Sequence, residues 1–198
     1  MMNKILSVSL LLLFVVSAHA QKLHLGVTTD LDFTKISGNG MDSKYQSGYQ
    51  AGAFAEVDIN KKWGVVPAVL FSQRNMKRAD DFSVYYVNTA SPESNTSVKL
   101  SYVSVPVLLK YNINDLFSVN LGPQVSFLVY DNEDLLKSGQ KAFKNTDFSL
   151  VAGVQLNVSP SFRFYGRYNY GLSNINNIDD RYSWKTRQFQ LGVGVHIF

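Results

Sequence analysis

Phe117-Ser118-Val119-Asn120-Leu121-Gly122-Pro123-Gln124-Val125-Ser126-Phe127-Leu128-Val129-Tyr130 decides the fold of this chain. Phe117, Val119, Leu121, Pro123, Val125, Phe127 and Val129 fall on one side of a period-two repeat, and Ser118, Asn120, Gly122, Gln124, Ser126, Leu128 and Tyr130 on the other. Alternation over this length is a β-strand with one dry and one wet face. Seven more stretches repeat it, at about 22–33, 46–59, 63–75, 98–111, 147–158, 161–170 and 185–198. The third has a mixed second face of Val66, Ala68, Leu70, Ser72 and Arg74. Connections after the second, fourth and sixth stretches are a few residues long. The others cover about Thr34–Tyr45, Met76–Ser97, Asp131–Thr146 and Gly171–Trp184. The pattern predicts an all-β, eight-stranded antiparallel up-and-down transmembrane barrel, because outer-membrane barrels have short turns at one end and long loops at the other. Pro67, Pro106 and Pro123 lie inside strands; each removes a ladder hydrogen bond and predicts a bulge or twist.

Met1–Ala20 reads as a secretory signal, with Lys4 near the start, an apolar run from Leu10 to Val16 and Ala18-His19-Ala20 as the cleavage site. The expected domains are this signal and one barrel over 21–198. Loss of Lys4 takes the formal charge from +4 to about +3, with the basic residues scattered, so no nucleic-acid partner is expected. The absence of cysteine excludes disulfides and thiolate metal sites. Beyond the signal there is no run of 18 apolar residues for a transmembrane helix.

Alternation alone fits two arrangements. A soluble lipocalin-like, ligand-binding barrel turns its apolar face inward; a membrane barrel turns it outward. Aromatic placement favours the membrane. Trp63, Tyr111, Phe117 and Phe162 flank the short turns, while Phe33, Tyr49, Phe71, Phe127, Phe148, Tyr168 and Tyr170 lie toward the other end. The wet face is rich in Gly, Ser, Gln and Asn rather than in the Lys and Glu of a solvated surface.

Eight strands enclose only enough space for side chains. The expected fillers are Glu56, Asp58, Arg74, Tyr102, Lys110, Gln124, Arg163, Tyr165, Arg167 and His196. Charges there must pair, so Glu56, Arg74, Lys110, Arg163 and Arg167 are read as a lumen polar network, with Glu56 meeting Lys110, Arg163 or Arg167. The interior is therefore expected to be plugged.

Tyr102-Val103-Ser104-Val105-Pro106-Val107-Leu108-Leu109-Lys110-Tyr111, Gly122-Pro123 and the terminal Gly192-Val193-Gly194-Val195 resemble the strands of the Bacteroidetes outer-membrane β-barrel family related to PorT. The resemblance spans the mature chain and implies an architecture like OmpX and the OmpA membrane domain. It also implies outer-membrane insertion by the barrel assembly machinery, with Phe198 as the assembly signal. PorT-like members are linked to type IX secretion. One departure stands out: positions two and four before Phe198 are His196 and Gly194, whereas Ile197, Val195 and Val193 form the apolar row. Either a bulge shifts Phe198 or it points inward.

Little chemistry emerges. His24 and His196 project to the wet face near the same end, yet no His-x-x-x-His spacing accompanies them, and ordinary lumen hydrogen bonding accounts for them. Asp80-Asp81, Asp131 with Glu133 and Asp134, and Asp179-Asp180 sit in predicted loops, as solvated turns do. Gly38-Asn39-Gly40 reads as a turn, and Asn95-Thr96-Ser97 is a sequon common by chance. No cofactor, metal or catalytic group is expected. The leading reading is a non-enzymatic, monomeric barrel in outer-membrane lipid, serving envelope structure or surface interaction through its long loops. The alternatives are a secretion-machinery component and an envelope hydrolase. Phe82, Val84, Tyr85, Tyr86 and Val87 give the longest loop apolar content, read as an extension of the neighbouring strands whose exposed edge captures a partner by strand addition.

Overall fold

The computed structural model describes residues 23–87, 97–131, 136 and 141–198. The expected signal, Asn95 and Thr96 of the sequon, and Glu133 and Asp134 lie outside the described residues. Eight strands form one closed sheet: β1 (Leu23–Ser37), β2 (Gln46–Asp58), β3 (Trp63–Lys77), β4 (Ser97–Asn112), β5 (Phe117–Asp131), β6 (Thr146–Asn157), β7 (Phe162–Gly171) and β8 (Lys185–His196). Each pairs antiparallel with the next, and β8 returns to β1 in unbroken register from Gly26↔His196 to Ser37↔Lys185.

The alternation now acquires a direction. Leu31 is 62% exposed and Phe127 47%, while their neighbours Asp32 and Ser126 are fully buried. The apolar face points out and the polar face points in, which rules out the lipocalin-like arrangement. Near the short turns the outer aromatics pair, Trp63 with Tyr111 at 4.7 Å and Phe162 with Phe164 at 5.0 Å between ring centroids. Phe33, Phe71, Phe127 and Phe148 are exposed toward the other end.

The three short turns share one construction. Asn60 Oδ1 accepts hydrogen bonds from the N–H groups of Lys62 and Trp63, both at 2.9 Å. Asn114 Oδ1 accepts from Leu116 and Phe117 at 3.0 and 2.7 Å. Ser159 Oγ accepts from Phe162 at 3.0 Å. Each turn thus uses a short polar side chain to hold the backbone of the aromatic that opens the next strand.

The structure changes several expectations. β1 runs to Ser37, beyond the predicted end at Phe33, because the inward row continues through the buried Thr34 and Ile36. The strand prolines create no bulge: β2–β3, β3–β4 and β4–β5 resume the same register on either side of them. The shift lies instead between Ser101 and Tyr102, where β5 carries the extra residue Val129. That bulge turns Tyr130, expected on the wet face, outward to 62% exposure. β8 ends at His196 rather than Phe198. The N–H groups of Ile197 and Phe198 both donate to Leu25 O, at 2.7 and 3.3 Å, the hydrogen-bond pattern of a bulge. Of the two geometries considered for Phe198 this is the first, and its ring is 82% exposed.

The lumen face of β8 must stay small at its glycines. A Cβ on Gly192 would overlap the Asp30 carboxylate and lie 2.5 Å from the Tyr165 ring. Gly192→Ala is expected to lower the urea midpoint of the folded barrel by the equivalent of about 1–3 kcal/mol, the usual cost of overpacking. Equilibrium unfolding in detergent or bilayers measures it.

Candidate functional site

Among the described residues, four carboxylates (Asp30, Asp32, Glu56, Asp147) and four cations (Arg74, Lys110, Arg163, Arg167) from the strands are buried in the barrel. They separate into levels. Next to the short turns, Glu56 is the shared anion: Lys110 Nζ donates to Oε1 and Arg163 Nη1 to Oε2, the latter at 2.5 Å. His196 Nε2 lies 3.5 Å from the same Oε2, and its ring is 5.3 Å from that of His24, which faces Asp58 at 3.6 Å. The Arg163 guanidinium also stacks 3.6 Å over Phe54.

Above this level the lumen turns partly apolar. Phe54, Val66, Leu108 and Val151 form a buried cluster with Ala68 against it. This explains the mixed second face of β3. Around the cluster, Tyr165 donates to Asp30 and meets Thr28, Gln50 Nε2 donates to Asp30 at 2.7 Å, and Arg167 stacks 3.9 Å over Tyr165. Higher still, Arg74 faces Asp147 at 3.6 Å, donates to Ser126 and lies over the Tyr102 ring. Thr186 and Ser173 complete Asp147 with hydroxyl donors at 2.9 and 2.8 Å.

Of the five residues read as one network, the structure brings Glu56, Lys110 and Arg163 together. Arg74 and Arg167 serve separate levels. Asp58, an expected filler, instead sits at the mouth beside His24, partly exposed.

The long loops close the other end. Ile36, Met76, Val98, Leu100 and Tyr102 from strands meet Met41, Phe82, Tyr86, Leu136, Phe143, Ile175 and Trp184 from loops in one buried core. The 78–87 segment does not extend the strands as a hairpin. It makes one helical turn, α1 (Phe82–Tyr85), because burying Phe82 and Tyr86 together on Trp184 hides more apolar surface than an edge strand in water would. Gly40, at φ 79°, lets the first loop pack close to Phe82 and Tyr86, since a Cβ there would lie 3.1 Å from each ring. Trp184 Nε1 donates to Asn39 O at 3.0 Å, and a bridge between Met41 and Arg78 fastens the first two loops together.

The last loop is organised by two asparagines that the sequence reading passed over. Asn174 Oδ1 accepts from Asn176 and Trp184 N–H at 3.0 and 2.9 Å. Asn176 Nδ2 donates to Tyr86 Oη at 3.0 Å and to Tyr182 O at 2.9 Å, and burial pushes the Tyr86 phenol up to about 12. The available signal was the apolar Leu172, Ile175, Ile178, Tyr182 and Trp184 spaced through a loop rich in Asn and Asp.

Outside this core the lid presents Val84 (72% exposed) and Val87 (68%) beside Tyr85, Ile178, Arg181 and Tyr182. They border a surface cleft of about 410 Å³. Tyr85 and Tyr182 meet edge to face at 5.3 Å, and Arg181 grips Asp179 with two nitrogens, holding that carboxyl below its usual range. Among the described residues no three His, Asp or Glu side chains converge as metal ligands.

A family model described as outer membrane protein beta-barrel domain matches residues 19–177. Among solved structures, the chain is similar to the attachment invasion locus protein Ail of Yersinia pestis, in complex with the heparin analogue sucrose octasulfate, at 18% identity and a TM-score of 0.54 over 89% of this chain and 99% of Ail. It is also similar to Neisserial surface protein A, at 20% identity and a TM-score of 0.55 over 86% of this chain and 96% of that one. At these identities the likeness is one of fold. No curated protein matches.

Two outcomes follow from the geometry. Glu56→Ala leaves Lys110 and Arg163 facing one another without their anion, and should cost about 3–5 kcal/mol of stability in denaturant unfolding, with Glu56→Gln costing less. Trp184→Ala should expose the loops to trypsin while leaving the strands protected, because the lost packing is in the lid.

Proposed function

The chain belongs to the outer membrane protein beta-barrel domain family, and from that premise we propose that it is a non-enzymatic, sealed barrel whose external lid contacts a partner at the cell surface. The observation that carries this is the lid itself. A tryptophan-centred core fixes the loops, and the fixed loops hold Val84, Val87 and Arg181 in solvent beside the half-buried Tyr85 and Tyr182. Tyrosine and arginine supply large contact area with few rotatable bonds, which is what interaction surfaces favour. Exposed valines on a soluble tip gain by being covered. Ail, a structural neighbour, was crystallised with a heparin analogue and is named for attachment, which favours surface contact over the secretion role that the PorT-like resemblance implies.

Export in this reading uses Met1–Ala20 as a cleaved signal. Insertion uses the barrel assembly machinery, with the outward Phe198 as the residue it reads. The mature protein works as a monomer in outer-membrane lipid.

The test is a whole-cell binding assay to host matrix components and epithelial surfaces with Tyr85→Ala/Tyr182→Ala. Binding should fall about tenfold or more, as for the loss of an interface hot spot, while surface level and gel heat-shift stay at the parent's values. Unchanged binding by the double variant overturns the lid reading. Loss of protein secretion on deletion of the whole chain, with binding intact, supports the export role instead.

A further inference from the structure

Lipid requires an apolar outer wall, and the wall over β7, β8 and β1 departs from that twice at one place. The first departure is a pair of cations. Register sets Tyr170 of β7 beside Arg187 of β8, and Arg187 directly opposite Lys35 of β1. Tyr45, just before β2, closes the row, with Lys35 Nζ 4.9 Å from its ring centroid and the Arg187 guanidinium 3.6 Å from that of Tyr170. Like charges directly opposite on neighbouring strands destabilise a sheet. No carboxylate among the described residues forms an ion pair with either one. Arg187 is also held in place, since its Nη1 donates to the carbonyls of Gly171 and Thr186 at 3.1 and 2.8 Å. Lys35 follows Leu25, and Arg187 precedes Ile197, by about the 10 residues with which a tilted strand crosses a bilayer. Both therefore stand where headgroup phosphates lie.

The second departure is a missing side chain beneath them. Gly166 is on the outer face of β7, paired with Val154 and Leu191. A Cβ there would meet only Leu191 Cδ2, at an ordinary 3.6 Å. Glycine weakens a strand, and here no close backbone approach calls for it, unlike Gly52 or Gly122, where a Cβ would strike a neighbouring carbonyl. The result is a groove of about 460 Å³ between Phe33, Ala152, Gly166, Tyr168, Phe189 and Leu191. It continues past Leu156, Phe164 and Val193 into a depression of about 870 Å³.

We propose that Lys35, Arg187 and the groove at Gly166 form a binding site for one lipid with a net anionic phosphate headgroup, its phosphate bridging the two cations and an acyl chain lying in the groove. The anion replaces a repulsion with charge-assisted hydrogen bonds. The chain fills space that a side chain would otherwise occupy.

Native mass spectrometry of the full-length barrel, released from neutral detergent with added phosphatidylglycerol or phosphatidylcholine of identical acyl chains, tests this. One phosphatidylglycerol per barrel should be retained, and phosphatidylcholine should not. Lys35→Gln should weaken retention about tenfold, one charge-assisted contact's worth, and Gly166→Leu should weaken it by filling the groove. Lys99→Gln, exposed on β4 across the barrel, should leave retention unchanged. Equal retention of the two lipids, an equal effect of Lys99→Gln, or undiminished retention by Gly166→Leu overturns the proposal. Lys35→Gln and Gly166→Leu both alter outward positions that hold no lumen contact, and a gel heat-shift equal to the parent's shows that each variant is folded.

Discussion

Inside a bilayer there is no water to satisfy a backbone N–H or C=O, so every such group must find a partner within the protein. The pairing of β8 with β1 meets that demand, and the rest of the molecule depends on it. Closure removes the sheet's edges, and the strand periodicity then sends one row of side chains to lipid and the other to a narrow interior. The outer row needs only to be apolar. The inner row must fill a fixed volume and satisfy every charge it brings.

For Glu56, Asp30 and Asp147 the interior does this locally rather than as one continuous chain of ions. Glu56 holds Lys110 and Arg163 near one mouth, Asp30 and Tyr165 hold the middle, and Asp147 and Arg74 hold the level below the lid. The apolar cluster of Phe54, Val66, Leu108 and Val151 fills part of the space between them. Partnered buried charges add little net stability, because desolvation offsets most of the attraction. The glycines of β8 belong to the same arrangement: Gly192 leaves room for Tyr165 and Gly194 for Arg163.

Strand count, orientation and the two aromatic rims were legible because a two-residue period, read with loop lengths, has few other solutions. The Glu56 cluster was legible in part: wet-face position shows which charges enter the lumen, but their partners depend on how far strands are staggered. Hence Arg74 and Arg167 were grouped with Glu56 and lie at other levels. The bulge at Val129 changed which way Tyr130 faces, and nothing in the alternation marks that extra residue, whereas the one at the chain's end showed as a break in the alternation before Phe198. The lid was the least legible part. Phe82, Tyr86 and Trp184 are distant in sequence, and their apolar character fits an exposed edge as well as a shared core until the loops are folded together.

The central claim is that this barrel is a wall and not a passage, sealed by its lumen ion pairs and by the aromatic core of its lid. Single-channel recording of the full-length protein in planar bilayers tests it directly. The account predicts no conductance steps above the lipid background, in the parent protein and at either polarity. Stable, repeated steps from the folded parent barrel would contradict it and would make the charged lumen a conduction path.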